Sequence, residues 1–387
     1  MKPILVMLAL CGSATADPCV DGPDHSAIVQ AAMTAGMCLP PGTYNIDPPP
    51  LVGGRRRVAM LTGGTLCGVR DDVLVRFRGD TAMQAYVGVA DADIHNAQLD
   101  GSCLYNTHEQ THLIRIMTSG HSIRDVKLSH PKRATTAGDS INVLAPVIAS
   151  PIEGPIIDHV EFASCARFAV QITRGVHDNG VSNSTFSGDC GIGSEGGGNI
   201  SGMTFDHLTF DAPATPGNHV PALSIQNMTD TIIDHVSLHG RTILLYNCER
   251  VTLQHSSVGD LVATNSNADW VSALSISTVA HDITVSDAHL IQSTVASVPV
   301  IAIGPVRANY QADLSNITIT ASDLYQETGS PVVSAQGVNT LTLSNSTLHL
   351  NSPSVTLVSV ASVATSPAVS MPALNTTESG NVSLPYP

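Results

Sequence analysis

The chain has 387 residues, of which 13% are charged and 4% aromatic, and its 17 Lys and Arg stand against 32 Asp and Glu for a formal net charge of −15. Only Lys2, Lys127 and Lys132 are lysines, and a field of this sign disfavours a nucleic acid or an anionic membrane surface as partner. The length suffices for one large core, and low charge with 31 Gly and 23 Pro suits an elongated, turn-rich β protein.

Residues 1–16 read as a secretory signal peptide: Lys2 precedes an apolar run from Ile4 to Cys11, and the small residues Ala14 and Ala16 stand before Asp17. The run is too short to span a membrane and no later stretch is apolar for long enough, so the mature chain is expected outside the cytosol, secreted or periplasmic. Residues 17–50 form the predicted N-terminal cap, with one helix within residues 24–44. Asp24 or Ser26 can cap its start, its apolar residues follow helical spacing, and Gly36 ends it before LPPGTYNI turns into a strand.

From 51 to 365 one phrase recurs: alternating apolar and polar residues, then Asn, His or Asp, then an apolar residue three positions on. Its polar marker falls at Asn96, Asp125, His159, Asn183, His207, His235, His255, Asp287, Asn316 and Asn345, 20 to 34 residues apart. Short alternating strands at that period, with no room for helices, signal a solenoid of β-coils. Around Val181–Phe186 two short strands meet at a tight corner at Asn183, whose short side chain tolerates unusual φ/ψ, and a variable loop and a third strand complete the coil. Stacked at ~4.8 Å, successive coils align the corner residues into a polar ladder. The predicted fold is all-β, a single-stranded parallel β-helix of about ten or more coils with three strands per coil, stable only because neighbours stack. Residues 366–387 lose the phrase and read as a C-terminal cap or loose tail.

Seven cysteines follow Cys11: Cys19, Cys38, Cys67, Cys103, Cys165, Cys190 and Cys248. In an oxidising compartment some should pair, and the odd count leaves at least one free. Cys19 with Cys38 would staple the cap and Cys165 with Cys190 would join adjacent coils; for the second pair, buried thiols acting as small apolar residues are the alternative.

Ala27-Ile-Val-Gln30-Ala-Ala followed by Pro41-Gly-Thr-Tyr44, with GGTLCGV at 63–69, resembles the pectate-lyase-like superfamily of right-handed β-helix proteins, whose chains often open with a capping helix of the form AIQxAI and then PxGxY. With the ten markers the resemblance covers nearly the whole mature chain. It implies a right-handed parallel β-helix with an N-terminal capping helix. It is specific for fold and leaves the chemistry open, since the superfamily includes hydrolases, lyases, epimerases, tailspikes and non-catalytic adhesins.

The resemblance also implies a substrate groove along the strand after the variable loop, here HLIRI, DSINV, FAVQI, GIGSE, ALSIQ, TILLY and ALSIS. The polar residues at the edges of these strands are Asp139, Arg167, Arg174, His177, Asp178, Asp189, Glu195, His219, Arg241, Tyr246, Asp269 and Trp270. GDSINV (138–143) and GDCGIGSEGG (188–197) are similar to polygalacturonase-family active-site strands, although neither has a doubled aspartate and the chain has no GHG or RIK tripeptide. Asp139 and Asp189 begin strands two coils apart, ~9.6 Å along the axis, near the ~6.5–9.5 Å between the acid and base of an inverting glycosidase.

The expectation is a polysaccharide-degrading enzyme that hydrolyses glycosidic bonds, with Asp189 as acid, Asp139 as base and Glu195 as a further catalytic candidate. Arg167, Arg174, His177, His219, Arg241, Tyr246 and Trp270 would bind the sugar. Two alternatives stay open. One is a lyase acting on a uronate polymer, with arginine as base and calcium as the one cofactor implied; the other is a non-catalytic β-helix adhesion or carbohydrate-binding protein, which the low aromatic content suits. Asp139 and Asp189 can also be turn aspartates bonding their own backbone. His159, His207, His235 and His255 invite a metal, but corner imidazoles satisfied by backbone are the simpler reading, so neither metal nor cofactor is assigned. Nothing in the sequence fixes an oligomeric state.

Overall fold

The computed structural model describes residues 19–49, 57–68, 72–79, 85–104, 111–129, 138–165, 167–194, 198–211, 221–259, 272–292, 298–304, 313–326, 333–336, 338–344, 346–350, 354–358, 362–365 and 375–379. The signal peptide therefore lies outside the described residues, as do Asn345 and most of 366–387.

Every paired strand is parallel, and each pairs with its counterpart one coil away. Three strands recur per coil. The strand before the marked corner stacks as Ile157, Val181 and Phe205, and the strand after it as Phe162, Phe186 and Phe210. The third stacks as Ile114, Ile141, Val170, Ile192, Leu223, Ile243 and Leu274. All of these point inward and are essentially unexposed, which is the alternation read from the sequence. Phe162, Phe186 and Phe210 stack ring on ring, with centroids 4.7 and 4.3 Å apart.

All nine described markers have positive φ, from 46° to 53°. Asn, Asp and His are the non-glycine residues that occupy this region most readily, and that explains the choice at the corner. The register corrects one marker. Ser286 pairs with Thr320, so the partner of Asp287 is Ala321, itself at φ 48°. Asn316 instead follows Ser315, the partner of His281, and so joins Asp282, Arg250 and Asp230 in a second left-handed ladder one bend earlier. Two bends five residues apart favour the same residue types, which is why the sequence alone could not separate them.

The corner side chains point to solvent rather than into the core: Asn183, His207, His235 and His255 are all exposed. The buried partner of the corner is a serine one residue on. Ser184 Oγ accepts the Val160 amide (3.1 Å) and donates to the Ser182 carbonyl (2.6 Å), and Ser256 does the same for Val236 and Gln254. These hydroxyls satisfy backbone groups that the bend strands.

Outside, Asp158 receives hydrogen bonds from Asn183 Nδ2 (2.8 Å) and Ser182 Oγ (2.7 Å) and lies 2.9 Å from His159 Nδ1. Its burial alone would raise its pKa, but these bonds and the imidazole outweigh that and hold it down to about 2. A carboxyl depressed in the folded state stabilises above its unfolded value and loses that contribution as pH falls through the folded value. We expect Asp158→Asn to lower the melting temperature at pH 6 and to lose that deficit relative to wild type between pH 4 and pH 2. A deficit constant across that range would show that the hydrogen bonds do not depend on the charge.

The helix runs Ser26–Ala35, and Gly36 at φ 64° ends it. The N-cap position falls to His25, which makes no side-chain cap bond, and not to Asp24 or Ser26; Asp24 Oδ1, one residue earlier, accepts the Ser26 amide (3.0 Å). Gln30, from the AIVQ peptide, explains how the cap works: its amide accepts the Thr62 N–H (2.9 Å) and donates to the Thr62 carbonyl (2.8 Å), so one side chain satisfies both backbone groups of an edge-strand residue.

Disulfides join Cys19 to Cys103, Cys38 to Cys67 and Cys165 to Cys190. Cys165–Cys190 is as expected. Cys19–Cys38 is not formed: each cysteine bonds a later coil, so the cap is tied to the body of the helix. Cys248 is the free thiol among the described residues, and burial pushes it up to about 12, which leaves it unreactive. At the far end Asn375–Ser379 pairs in parallel with Ser354–Val358, extending the ladder into the segment read as a cap or tail.

Candidate functional site

The third strand of each coil offers a polar row. Arg115, Asn142, Gln171, Gly193, Ser224, Leu244 and Ser275 share one register; the five polar ones are each the middle residue of an apolar–x–apolar triplet such as IRI, INV, VQI or LSI, and Gly193 and Leu244 interrupt them. Their neighbours point inward, so this row lies on the outer face. It is nevertheless recessed, with Asn142 4%, Gln171 5% and Ser224 1% exposed. Asn142 Nδ2 donates to Gln171 Oε1 (2.9 Å) and Thr173 Oγ1 (3.2 Å), and Gln226 Nε2 donates to Ser224 Oγ (2.7 Å). Sequence reasoning looked at the strand edges and passed over these residues. Their signal was the single polar letter between two apolar ones.

At the strand starts the structure gives the charged candidates structural duties. Asp139 is fully buried. Its carboxylate takes Arg167 through Nε (3.0 Å) and Nη2 (3.1 Å), a bidentate pair, and its own amide donates to His112 Nδ1 (3.1 Å). Arg167 is only 25% exposed in its side chain and lies over the Phe168 ring at 5.4 Å. The Phe168 ring in turn fills the space beside Gly193, where an added Cβ would come within 2.4 Å of it. A Cβ at Gly191 would meet the Pro221 carbonyl at 2.5 Å. The GIG of 191–193 is thus required by packing.

Asp189 lies in the turn before Ile192 and is 8% exposed. Arg241, 2% exposed, donates to the carbonyls of Gly188 (2.7 Å) and Cys190 (3.2 Å) and reaches that of Asp189 (3.5 Å). Burial pushes this guanidinium down to about 10, against the opposing pull of the Asp189 charge. Arg241 therefore clamps a turn and does not meet the expectation of a sugar-binding group at an open edge.

The same register bears on the expected acid–base pair of Asp189 and Asp139. The register sets Asp139 beside Phe168 and then Cys190, so Asp189 shares a column with Arg167, on the rung between the two aspartates. Asp139 faces that arginine and not a water-filled gap, and an inverting base needs the water.

Arg174 is half-buried, with its Nε shielded from solvent and without a hydrogen-bond partner. His177 lies past the next bend, its Nδ1 2.5 Å from Ser201 Oγ, away from the polar row. Tyr246 is half-buried beside Gln226, its register partner on the row's flank. Glu195, His219 and Trp270 lie outside the described residues. Calcium, implied only by the lyase alternative, needs several converging oxygen ligands. Among the described residues, the His and carboxylate groups close enough together to hold an ion lie at the corner.

No protein-family model matches the sequence, and no curated protein matches it. Solved structures do match in shape. The mannuronan C-5 epimerase AlgE6 A-module of Azotobacter vinelandii aligns over 89% of this chain and 96% of its own, at 14% identity and a TM-score of 0.63. The AlgE4 A-module of the same organism aligns over 92% and 96%, at 14% identity and TM-score 0.45. The Streptococcus pneumoniae surface protein and adhesin PfbA covers 92% of this chain and 93% of its own, at 11% and 0.44. The parallel ladders and the first of these likenesses agree on the fold: the chain is a parallel β-helix.

Proposed function

We propose that this is a secreted carbohydrate-active protein that takes an extended polysaccharide along the outer face of its third sheet. The observation that carries the reading is the recessed polar row, in which Arg115, Asn142, Gln171 and Ser224 repeat at the coil spacing along one face. Three disulfides suit a compartment outside the cytosol. Arg115 and Arg174 bring positive charge to this face of a chain of net charge −15, whereas that of Arg167 is met by Asp139. Mannuronan therefore belongs in the test panel beside neutral glucans, since the AlgE6 module acts on it.

Cleavage is the further step of this reading. Glycosidic hydrolysis would fall to Asp189 and Glu195, because Asp139 is held by Arg167. The second reading, a glycan-binding protein without catalysis, is favoured by that same ion pair and by the donation of Arg241 to carbonyls. Retardation in glycan-containing gels measures binding, new reducing ends report hydrolysis, and unsaturated-product absorbance reports elimination. We expect Gln171→Ala with Tyr246→Ala to weaken retardation by about tenfold and Asp189→Asn with Glu195→Gln to remove any product. Retardation by no acidic or neutral glycan, or retardation that the Gln171 and Tyr246 changes leave intact, would refute the assignment of this face.

A further inference from the structure

Four of the left-handed corners carry histidine, and three of those histidines directly follow an aspartate: Asp158-His159, Asp206-His207 and Asp234-His235. Tolerance of positive φ accounts for a histidine at the corner but not for the carboxylate placed before it. The rings of His207, His235 and His255 stack at 4.5 and 5.0 Å on successive coils, exposed to solvent. Their Nδ1 atoms rest on side-chain carboxylates. Asp234 Oδ1 lies 2.8 Å from His235 Nδ1 and 2.9 Å from His255 Nδ1, so one oxygen meets two imidazole nitrogens from adjacent coils. Asp206 Oδ1 is 2.7 Å from His207 Nδ1 and 3.8 Å from His235 Nδ1.

Ligand atoms held tetrahedrally at ~2.0–2.2 Å from an ion lie roughly 3.3–3.6 Å from one another, so the Asp234 oxygen, now at hydrogen-bond distance from both nitrogens, needs to draw back by only about half an ångström to share an ion with them. Two imidazoles and one carboxylate suit a borderline divalent ion, not the hard cations that prefer oxygen alone. The negative charge of the chain draws cations to this surface. His235 belongs to both sets and has one Nδ1 to give, so only one of the two sets can use it, and the Asp234 set is the tighter.

We propose that the corner binds one transition-metal ion of the zinc or copper class through Asp234 Oδ1, His235 Nδ1 and His255 Nδ1, with solvent completing the coordination. The site lies between the first two strands of the coil, away from the polar row. It would clip two neighbouring coils together from outside.

The test uses the untagged mature protein with zinc or copper(II) alone. Titration calorimetry should show one equivalent bound, and the copper(II) electron paramagnetic spectrum should show hyperfine structure from two imidazole nitrogens. Asparagine is the replacement of choice, because Asn96 and Asn183 already occupy this corner at φ 49° and 47°. His235→Asn and His255→Asn should each weaken binding by roughly tenfold or more, whereas His207→Asn and His159→Asn should change it by less than about twofold. Magnesium should not compete. No bound ion after desalting, a spectrum without two nitrogens, or equal losses in the His159 and His235 variants would overturn the assignment. The wild-type spectrum decides the matter even where a variant fails to fold.

Discussion

Asp139→Asn should destabilise the protein by about 2–4 kcal/mol, because it leaves the Arg167 guanidinium, three-quarters buried, opposite a neutral amide. The charge is not entirely withdrawn from water, which keeps the expected loss below that of a fully buried pair broken from one side. Replacing both partners with apolar groups of similar size, Asp139→Leu with Arg167→Met, should recover much of the loss, since no buried charge is then left unpaired. The double-mutant cycle, read from urea midpoints, measures their coupling. Glycan retardation by a folded Asp139→Asn variant should stay at the wild-type level. Loss of binding or of product without loss of stability would instead restore Asp139 to a catalytic role.

Phe186→Ala should cost more, about 3–5 kcal/mol. Phe186 is fully buried and is the middle ring of a stack, with Phe162 on one side and Phe210 on the other. Its removal opens a cavity between rings that the parallel register cannot close, because each is pinned by its own strand. The Cys165–Cys190 disulfide flanks the same coils and keeps them covalently joined. We therefore expect the variant to unfold in two steps, with the middle coils opening first, since solenoid stability is a sum over neighbours. Hydrogen exchange should show lost protection at Val160, Val181 and Leu208 before Ile301 or Ile317. Uniform loss along the whole helix would mean that the solenoid unfolds as one unit.

The sequence by itself determined the solenoid, the three strands per coil, the capping helix and its stop at Gly36, and most of the corners. Each of these is written in a local rule: alternation decides which side chains face inward, and only a few residue types accept a left-handed bend. The Cys165–Cys190 pairing was legible because both follow equivalent phenylalanines one coil apart. The tertiary structure alone decided what the polar residues face. Asp139 and Asp189 carry the same local signature, Gly-Asp before an apolar strand, yet only stacking shows that Arg167 comes between them, that Arg241 spends its donors on carbonyls, and that Asn142 and Gln171 form a row. Asn316 could not be separated from the marker corner for a similar reason, since two bends with the same φ preference differ only in which strand they stack upon. Alternation fixes which way a side chain points, but the register between coils fixes what it meets, and the register is set by contacts 20 to 34 residues away in the chain.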